Sequence, residues 1–145
     1  MSNRGFTLIE LIVVILILVV LVTVGVPSFI STFDNIRVQK AAEFLEQLMN
    51  TARSEALRRN TNVYLDVSGN SFCLGTTTPC IGDIRTDNVA SSVTITPSVA
   101  SLRFDNIRGL PPSTGADYTI VGGGTTSTVS INMLGLVKIS GDDFE

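Results

Sequence analysis

One acidic residue, Glu10, stands inside a long apolar run that extends from Arg4 to Pro27. No charged residue occurs between Leu11 and Phe33, and about 20 apolar residues suffice to cross the core of a bilayer. A lone carboxylate in such a segment costs roughly 2.5–3.5 kcal/mol on insertion scales, so it needs a cationic partner. We therefore predict that Glu10 pairs with a cation, with a position at the membrane interface as the alternative.

Two cysteines, Cys73 and Cys80, are the only ones in the chain and enclose the short loop CLGTTTPC. The position of Arg4 before the apolar run places the residues that follow the run outside the cytoplasm. In such an oxidising compartment two cysteines at this spacing favour a disulfide. Two buried free thiols are the alternative. A metal site is disfavoured, because the chain has no His and two thiolates cannot complete a tetrahedral shell.

The chain lacks the residues that most enzymes use for acid–base or nucleophilic chemistry. The absence of His removes the commonest general base, the Ser-His and Cys-His pairs and most catalytic zinc sites. The loop Gly122–Thr126 lacks the Gly-Lys-Ser/Thr ending of a phosphate loop, and Asp83 and Asp87 lack the ligand spacing of a calcium loop. We expect no enzymatic activity, no cofactor and no metal.

Basic residues are too scattered to predict a nucleic-acid surface. Residues 37–59 hold five basic and three acidic side chains, a balance of +2, whereas residues 60–145 hold four basic and eight acidic ones, a balance of −4. An acidic domain repels phosphate. Weak DNA contact through Arg103, Arg108 and Lys138 is possible but not favoured.

The apolar run is predicted to remain in the protein as a membrane span. It is longer than the core of a secretory signal, and no Ala-x-Ala-like cleavage site follows it. Arg4 precedes the run and no Lys or Arg follows until Arg37, which favours a cytoplasmic amino end. The rest of the chain would then lie outside the cytoplasm.

The helical pattern continues beyond Pro27, so one helix of about fifty residues is predicted. Arg58 and Arg59 suit the carboxyl end of a helix, and Asn60 is the predicted terminator. Pro27 removes one backbone hydrogen bond and is expected to kink the helix. Small and apolar residues recur at the three- and four-residue spacing of an amphipathic stripe: Ala41, Phe44, Leu45, Leu48, Ala52 and Ala56.

After the helix the hydrophobic period changes to two, which predicts strands. Val93 and Ile95 share one face of a strand, as do Val129 and Ile131, and segment 83–87 is placed in a loop. A mostly antiparallel sheet or pair of sheets, covered on one face by the helix stripe, makes the fold class α+β. The predicted strands are 63–67, 71–74, 93–96, 101–104, 118–121, 128–131 and 136–139.

The amino end resembles the type III signal of type IV pilins and type II secretion pseudopilins. The matching segment is Gly5–Glu10, GFTLIE, in which a short basic leader ends in Gly, followed by Phe and by Glu four residues later. The resemblance implies that a membrane prepilin peptidase removes residues 1–5 by cutting between Gly5 and Phe6, and that Phe6 is then N-methylated. Glu10 would act in subunit assembly, since the new amino group at Phe6 of a neighbouring subunit supplies the missing cation.

A second resemblance narrows the family. Residues 51–60, TARSEALRRN, leading into Val63–Leu65, look like the GspH/FimT group of minor pilins and pseudopilins, and residues 102–109 and 131–138 are similar to its carboxyl half. Some FimT-like members bind DNA through a closing Gly-Arg-x-Arg motif. The corresponding segment here, GLVK at residues 135–138, departs from that motif and argues against DNA uptake.

These resemblances imply a pilin fold, with a long N-terminal helix packed on an antiparallel β-sheet head. Residues 6–33 would form the transmembrane and filament-core half of the helix. Residues 34–145 would form a periplasmic globular domain, helical to about 60 and β-rich over 61–145. The expected location is the inner membrane, as a single-pass protein, and then the assembled pilus or pseudopilus.

The expected function is that of a minor pilin that enters or primes type IV pili. A minor pseudopilin of a type II secretion system is the alternative, and a pilus-tip DNA-binding protein is a further one. The implied partners are other pilins or pseudopilins through the N-terminal helix, the prepilin peptidase and inner-membrane lipid.

Overall fold

A single helix, α1, extends over Leu8–Arg59 and contains 52 residues, which confirms the predicted length. The computed structural model describes residues 7–112 and 114–141, and it describes the backbone alone for residues 24–31. Pro27 falls in that stretch, so the kink expected there stays a prediction. In the described part of the chain, no helix combines the length and the hydropathy of a membrane span.

The chain divides into two compact units, Met1–Phe33 and Asp34–Glu145, and we call the second unit the head. The first unit contributes the amino half of α1. The head contains the rest of α1 and every strand of the described residues.

The carboxyl end of α1 stops at the predicted terminator. Asn60 has a positive φ of 51°, and its N–H donates to the Leu57 carbonyl at 3.3 Å. The Thr61 N–H donates to the Ala56 carbonyl at 3.2 Å. These two bonds form a Schellman motif, in which a left-handed residue satisfies carbonyls that the helix leaves free.

The described residues of the head form two four-stranded antiparallel sheets, with orders β3-β2-β1-β5 and β4-β6-β7-β8. An isolated bridge joins them where the Ile95 N–H donates to the Gly69 carbonyl at 2.8 Å. The strands are β1 Val63–Ser68, β2 Ser71–Gly75, β3 Arg85–Asn88, β4 Val93–Pro97, β5 Ser101–Phe104, β6 Ala116–Gly122, β7 Thr125–Ile131 and β8 Val137–Gly141.

Strand β3 corrects the prediction of a loop over segment 83–87. Its four residues, Arg85–Asn88, are polar and carry no apolar alternation. They nevertheless pair with β2, in a register that sets Phe72 opposite Asp87. As an edge strand, β3 buries little of its own surface, so pairing with β2 rather than hydrophobic pattern defines it.

The core of the head lies where the stripe of α1 meets the inner faces of both sheets. Phe44 of α1 contacts Phe72 of β2 edge to face, with ring centroids 5.5 Å apart. Burial of a side chain such as Leu45, which is 0% exposed, stabilises the fold by about 1.5–3 kcal/mol. The predicted shared faces are also confirmed, since these residues are all buried: Ala41, Leu45, Leu48, Ala52, Ala56, Val93, Ile95, Val129 and Ile131.

Candidate functional site

The amino end of α1 is capped by Thr7 and Glu10, whose side chains bond reciprocally. The Glu10 N–H donates to Thr7 Oγ1 at 3.3 Å, and the Thr7 N–H donates to Glu10 Oε2 at the same distance. The Thr7 hydroxyl also donates to Oε2 at 3.3 Å. Since α1 begins at Leu8, this is a capping box, with Thr7 at the N-cap and Glu10 at the third helical position.

Sequence reasoning missed this capping role of Glu10. The signal was present, because a Thr followed three residues later by Glu, just before an apolar run, is the pattern of a capping box. A carboxylate in the first turn also suits the positive end of the helix dipole. Gly5 and Phe6 lie outside the described residues, so cleavage and N-methylation stay predictions.

The amino half of α1 exposes apolar side chains around its whole circumference. Every large apolar residue from Leu8 to Val22 is at least 43% exposed. An amphipathic helix would expose such residues on one side only, whereas a helix that is apolar all round requires apolar surroundings on all sides. Within the part of the chain that the structure describes, this segment is an exposed apolar surface of the size that marks an interaction site.

A disulfide joins Cys73, on β2, to Cys80 in the loop that follows. This confirms the predicted pairing and shows that the alternative of free thiols is wrong. The Cys80 N–H donates to Asp66 Oδ2 at 2.8 Å, so the loop is also tied to the neighbouring strand β1.

Asp83 closes the base of the same loop. Its two carboxylate oxygens accept bonds from the Thr76 N–H at 2.8 Å and from the Thr76 hydroxyl at 2.9 Å. The Thr76 N–H is the main cause that lowers the pKa of Asp83. Both oxygens are used within the loop, so Asp83 serves to brace it.

Near the carboxyl end of α1, Glu55 accepts hydrogen bonds from two arginines. Arg58 Nη2 lies 2.7 Å and Arg59 Nε 2.6 Å from the same oxygen, Oε2. The hydrogen bond from Arg58, followed by that from Arg59, lowers the pKa of Glu55 from 4.5 to about 2. Arg58 and Arg59 thus lie in the last turn of α1 and pair with a residue of the same helix, in agreement with the predicted helix end.

The three candidate DNA contacts are exposed but lie on different elements. Arg103 is on β5 and Lys138 is on β8, which belong to different sheets. Arg108 is in the loop after β5, where its side chain is 73% exposed and its Nε lies 3.7 Å from Asp105 Oδ2. DNA contact through these residues stays a prediction.

Known proteins resemble this chain in both of its parts. The model of the prokaryotic N-terminal methylation motif matches residues 1–26. A search of curated protein sequences found no significant match.

Three solved structures share the fold. The type IV minor pilin FimU of Pseudomonas aeruginosa strain PAO1, in one crystal form, is 22% identical, covers 70% of this chain and 91% of its own, and has a TM-score of 0.60. A second crystal form gives 21% identity, 73% and 90% coverage and a TM-score of 0.63. The minor pseudopilin EpsH from the type 2 secretion system of Vibrio cholerae gives 10% identity, 74% and 98% coverage and a TM-score of 0.58.

The family model of the type II transport protein GspH matches residues 41–135. That match covers more than half of the chain, and it includes residues 41–59 of α1, the disulfide loop and the first seven strands. The chain therefore belongs to the GspH family, within the minor pilins and pseudopilins.

Proposed function

We propose that this chain is a minor pilin that is incorporated into a type IV pilus or primes its assembly, and that it is a structural subunit rather than an enzyme. The observation that carries the proposal is the apolar circumference of Leu8–Val22, continuous in sequence with a head that has its own core. The apolar surface of this segment is covered first by lipid and then, in the filament, by the equivalent segments of neighbouring subunits.

The proposed organisation follows from that role. The prepilin peptidase removes residues 1–5, and Phe6 becomes the methylated amino terminus. Residues 6–33 cross the inner membrane and later occupy the filament core. Residues 34–145 form the periplasmic head, which the disulfide between Cys73 and Cys80 braces.

Glu10 has two uses in this proposal. Both bonds from Thr7 end on Oε2, and a carboxylate has two oxygens with several acceptor positions. The same group can therefore cap its own helix and receive the Phe6 amino group of a neighbouring subunit. Pairing would remove the cost of a lone charge in an apolar region only when the two subunits stand in the correct axial register.

Three substitutions separate the two uses. Glu10→Gln keeps a capping side chain but removes the charge, Thr7→Val removes the cap but keeps the charge, and Glu10→Val removes both. We expect Glu10→Gln and Glu10→Val to be inserted and cleaved normally but to lose assembly, and Thr7→Val to assemble. Membrane insertion, cleavage and recovery in sheared filaments are scored separately.

Normal assembly of Glu10→Gln would contradict the charge-pairing mechanism. Loss of assembly in Thr7→Val, with Glu10→Gln unaffected, would assign Glu10 to capping alone.

A minor pseudopilin of a type II secretion system is the second candidate. The match to the type II transport family and the fold shared with EpsH favour it. The proposed leader, helix and head serve either filament in the same way. Deletion of the gene should abolish pili if the first proposal is correct, and should block secretion while pili persist if the second is.

A further inference from the structure

A hollow of about 320 Å³ lies between the head portion of α1 and the edge strand β3. Ala41 and Phe44 of α1, together with Val89 just after β3, line it with apolar surface. Phe44 and Val89 are only partly buried, and both pack against the core of the head. We call this space, which α1 bounds on one side and β3 on the other, the edge hollow.

The backbone of β3 has a free side next to this hollow. In the described part of the chain, β3 is the first strand of its sheet and pairs with β2 alone. Alternate residues of an antiparallel pair turn their N–H and C=O groups toward the partner strand. The Val89 N–H donates to the Asn70 carbonyl at 2.9 Å, and the register of β3 with β2 continues from there, so Asp87 also faces β2. Thr86 and Asn88, which are both exposed, therefore turn their N–H and C=O groups away from β2.

A strand added beside β3 would direct alternate side chains into the edge hollow. Asp87 lies opposite the buried Phe72, and Arg85 places its guanidinium carbon 5.3 Å from the centre of the Phe44 ring, so this face of β3 is turned toward α1. Side chains on the same face of an added strand would lie beside Asp87, which lines the hollow. A volume at the lower end of the range of ligand pockets, about 300–1,000 Å³, suits one large apolar side chain.

Two cations of α1, Arg37 and Lys40, line the same hollow. Arg37 Nη1 lies 2.9 Å from Asp34 Oδ1, and its side chain is 50% exposed. Lys40 is exposed and forms no ion pair or hydrogen bond with any residue that the structure describes, so its three N–H donors are free to meet a carboxylate. The single acid of the lining, Asp87, is already paired with Arg85. The hollow therefore favours an apolar side chain with an acidic neighbour.

The described strands of a second copy of this chain do not fit this description. Strand β3 itself cannot fill the hollow, because Arg85–Asn88 are all polar. The other edge strands of the head, β4, β5 and β8, direct their apolar side chains into or against their own core. The complementary strand is therefore one from a different protein.

We propose that β3 accepts an extended segment of a different protein as an additional strand of its sheet, with one large apolar side chain in the edge hollow and a carboxylate two residues away beside Lys40. In this mode of recognition, backbone hydrogen bonds supply affinity, and the hollow selects among alternate side chains. The inference goes beyond the proposed function, because it concerns the head alone and applies to a subunit of either filament.

A synthetic heptapeptide serves as the probe. It has Leu at its centre, Glu two residues away on each side and Thr elsewhere, with both ends blocked, so that Leu and both Glu face the same side of a strand. The control peptide has the same composition, but its central Leu is exchanged with the following Thr. Leu and the two Glu then face opposite sides, and the control should bind more weakly.

Amide hydrogen exchange, followed by NMR on the ¹⁵N-labelled full chain in detergent, reports the backbone contact. With the protein about nine-tenths saturated by the probe, the N–H groups of Thr86 and Asn88 should exchange about tenfold more slowly, because only the free tenth remains open. The N–H of Asp87, which faces β2, should change little. This alternation distinguishes an added strand from a ligand that merely covers the surface.

Charge reversal tests the carboxylate contact. Lys40→Glu should raise the Kd of the probe roughly fivefold, since a weak attraction becomes a weak repulsion. Arg103→Glu, an exposed reversal on β5 at the opposite edge of the same sheet, is the matched control and should leave the Kd unchanged. A peptide with Gln in place of both Glu should bind the Lys40→Glu variant and the unmodified protein alike.

The proposal is overturned if the control peptide binds as tightly as the probe, if Lys40→Glu leaves the Kd unchanged, or if exchange at Thr86 and Asn88 does not slow relative to Asp87. Slowing that appears without peptide and grows with protein concentration would assign the edge to a second copy of this chain instead. Normal entry into filaments by a chain that binds no probe would refute the site alone. Probe binding by a chain that never enters filaments would refute the filament function alone.

Discussion

The two halves of α1 treat their apolar residues in opposite ways. Between Leu8 and Val22 every large apolar side chain is at least 43% exposed, whereas Leu45 and Leu48 in the second half are at most 1% exposed. The second half alternates its apolar stripe with charged residues, and the stripe is covered by the sheets of the head. The first half has no polar face between Leu11 and Val22, so one small head could not cover it.

One continuous helix therefore has two kinds of surface, a buried stripe in its second half and an exposed apolar circumference in its first half. The second half belongs to a folded unit and contributes to its free energy of unfolding. Under the proposed function the first half contributes to association, because its exposed apolar surface would be removed from water by lipid or by other chains. Mutations in the two halves should therefore affect different measurements.

The largest expected effect separates the halves directly. Leu45→Ala should lower the free energy of unfolding of the head by about 2–5 kcal/mol, because it leaves a cavity in the core. Leu16→Ala, at a site 60% exposed, should change it by less than about 0.5 kcal/mol. Denaturant unfolding of the full chain in detergent, followed by circular dichroism, measures both. Equal decreases in the free energy of unfolding for the two variants would contradict the conclusion that only the second half of α1 stabilises the head.

Removal of the disulfide tests how much the loop between Cys73 and Cys80 contributes to the free energy of unfolding of the head. Cys73→Ser combined with Cys80→Ser should cost about 2–3 kcal/mol, since the unfolded chain gains freedom. Thr77→Ser, exposed in the same loop, is the control and should have little effect. The same unfolding measurement applies, and an unchanged midpoint would show that the bonds to Asp66 and Asp83 hold the loop without the crosslink.

The carboxyl end of α1 offers a smaller test of the helix–head junction. Asn60 has a φ of 51°, so Asn60→Ala should lose about 1 kcal/mol, because Ala lacks the polar side chain that lets Asn adopt the left-handed conformation at low cost. Asn60→Gly accepts this backbone conformation and should retain or slightly raise the stability. If both variants unfold alike, the left-handed cap does not contribute as proposed.

The pH dependence of the head gives the smallest effect. The pKa of Glu55 is lowered to about 2, so its contribution to stability is complete above about pH 4.5, its ordinary value, and is lost as the pH falls toward 2. Glu55→Gln should flatten the fall in unfolding midpoint across that window. The double variant Arg58→Gln, Arg59→Gln should also flatten this fall. If the midpoint still falls with pH as steeply as in the unmodified protein in both variants, the pairing of Glu55 with the two arginines is not its cause.

Much of the fold could be predicted from residue spacing. The stripe from Ala41 to Ala56 predicted the face that α1 buries, and Asn60 predicted where it ends. The alternation of Val93 with Ile95, and of Val129 with Ile131, predicted which side chains enter the core. These features depend on local periodicity, which the helix and the strand impose on any sequence that folds.

Strand β3 could not be predicted in this way. Its residues gain little from burial, and their strand conformation depends on hydrogen bonds to β2. The placement of β5 beside β1 likewise joins residues about forty positions apart, which no local pattern specifies. The capping box of Thr7 and Glu10, in contrast, can be predicted from the sequence, because a Thr followed three residues later by Glu has the spacing of that motif.

The sequence by itself determined the helix, its apolar and amphipathic halves, the disulfide pair and the family. The helix and its two halves follow from residue type at short spacing, the disulfide was favoured over free thiols, and the family was indicated by the resemblance of two motifs. Only the tertiary structure decided that the strands form two sheets, and that Arg103, Arg108 and Lys138 lie on different elements. These features depend on the pairing and packing of segments that are far apart in the sequence. No single segment specifies them, because each buries its apolar face only against the others.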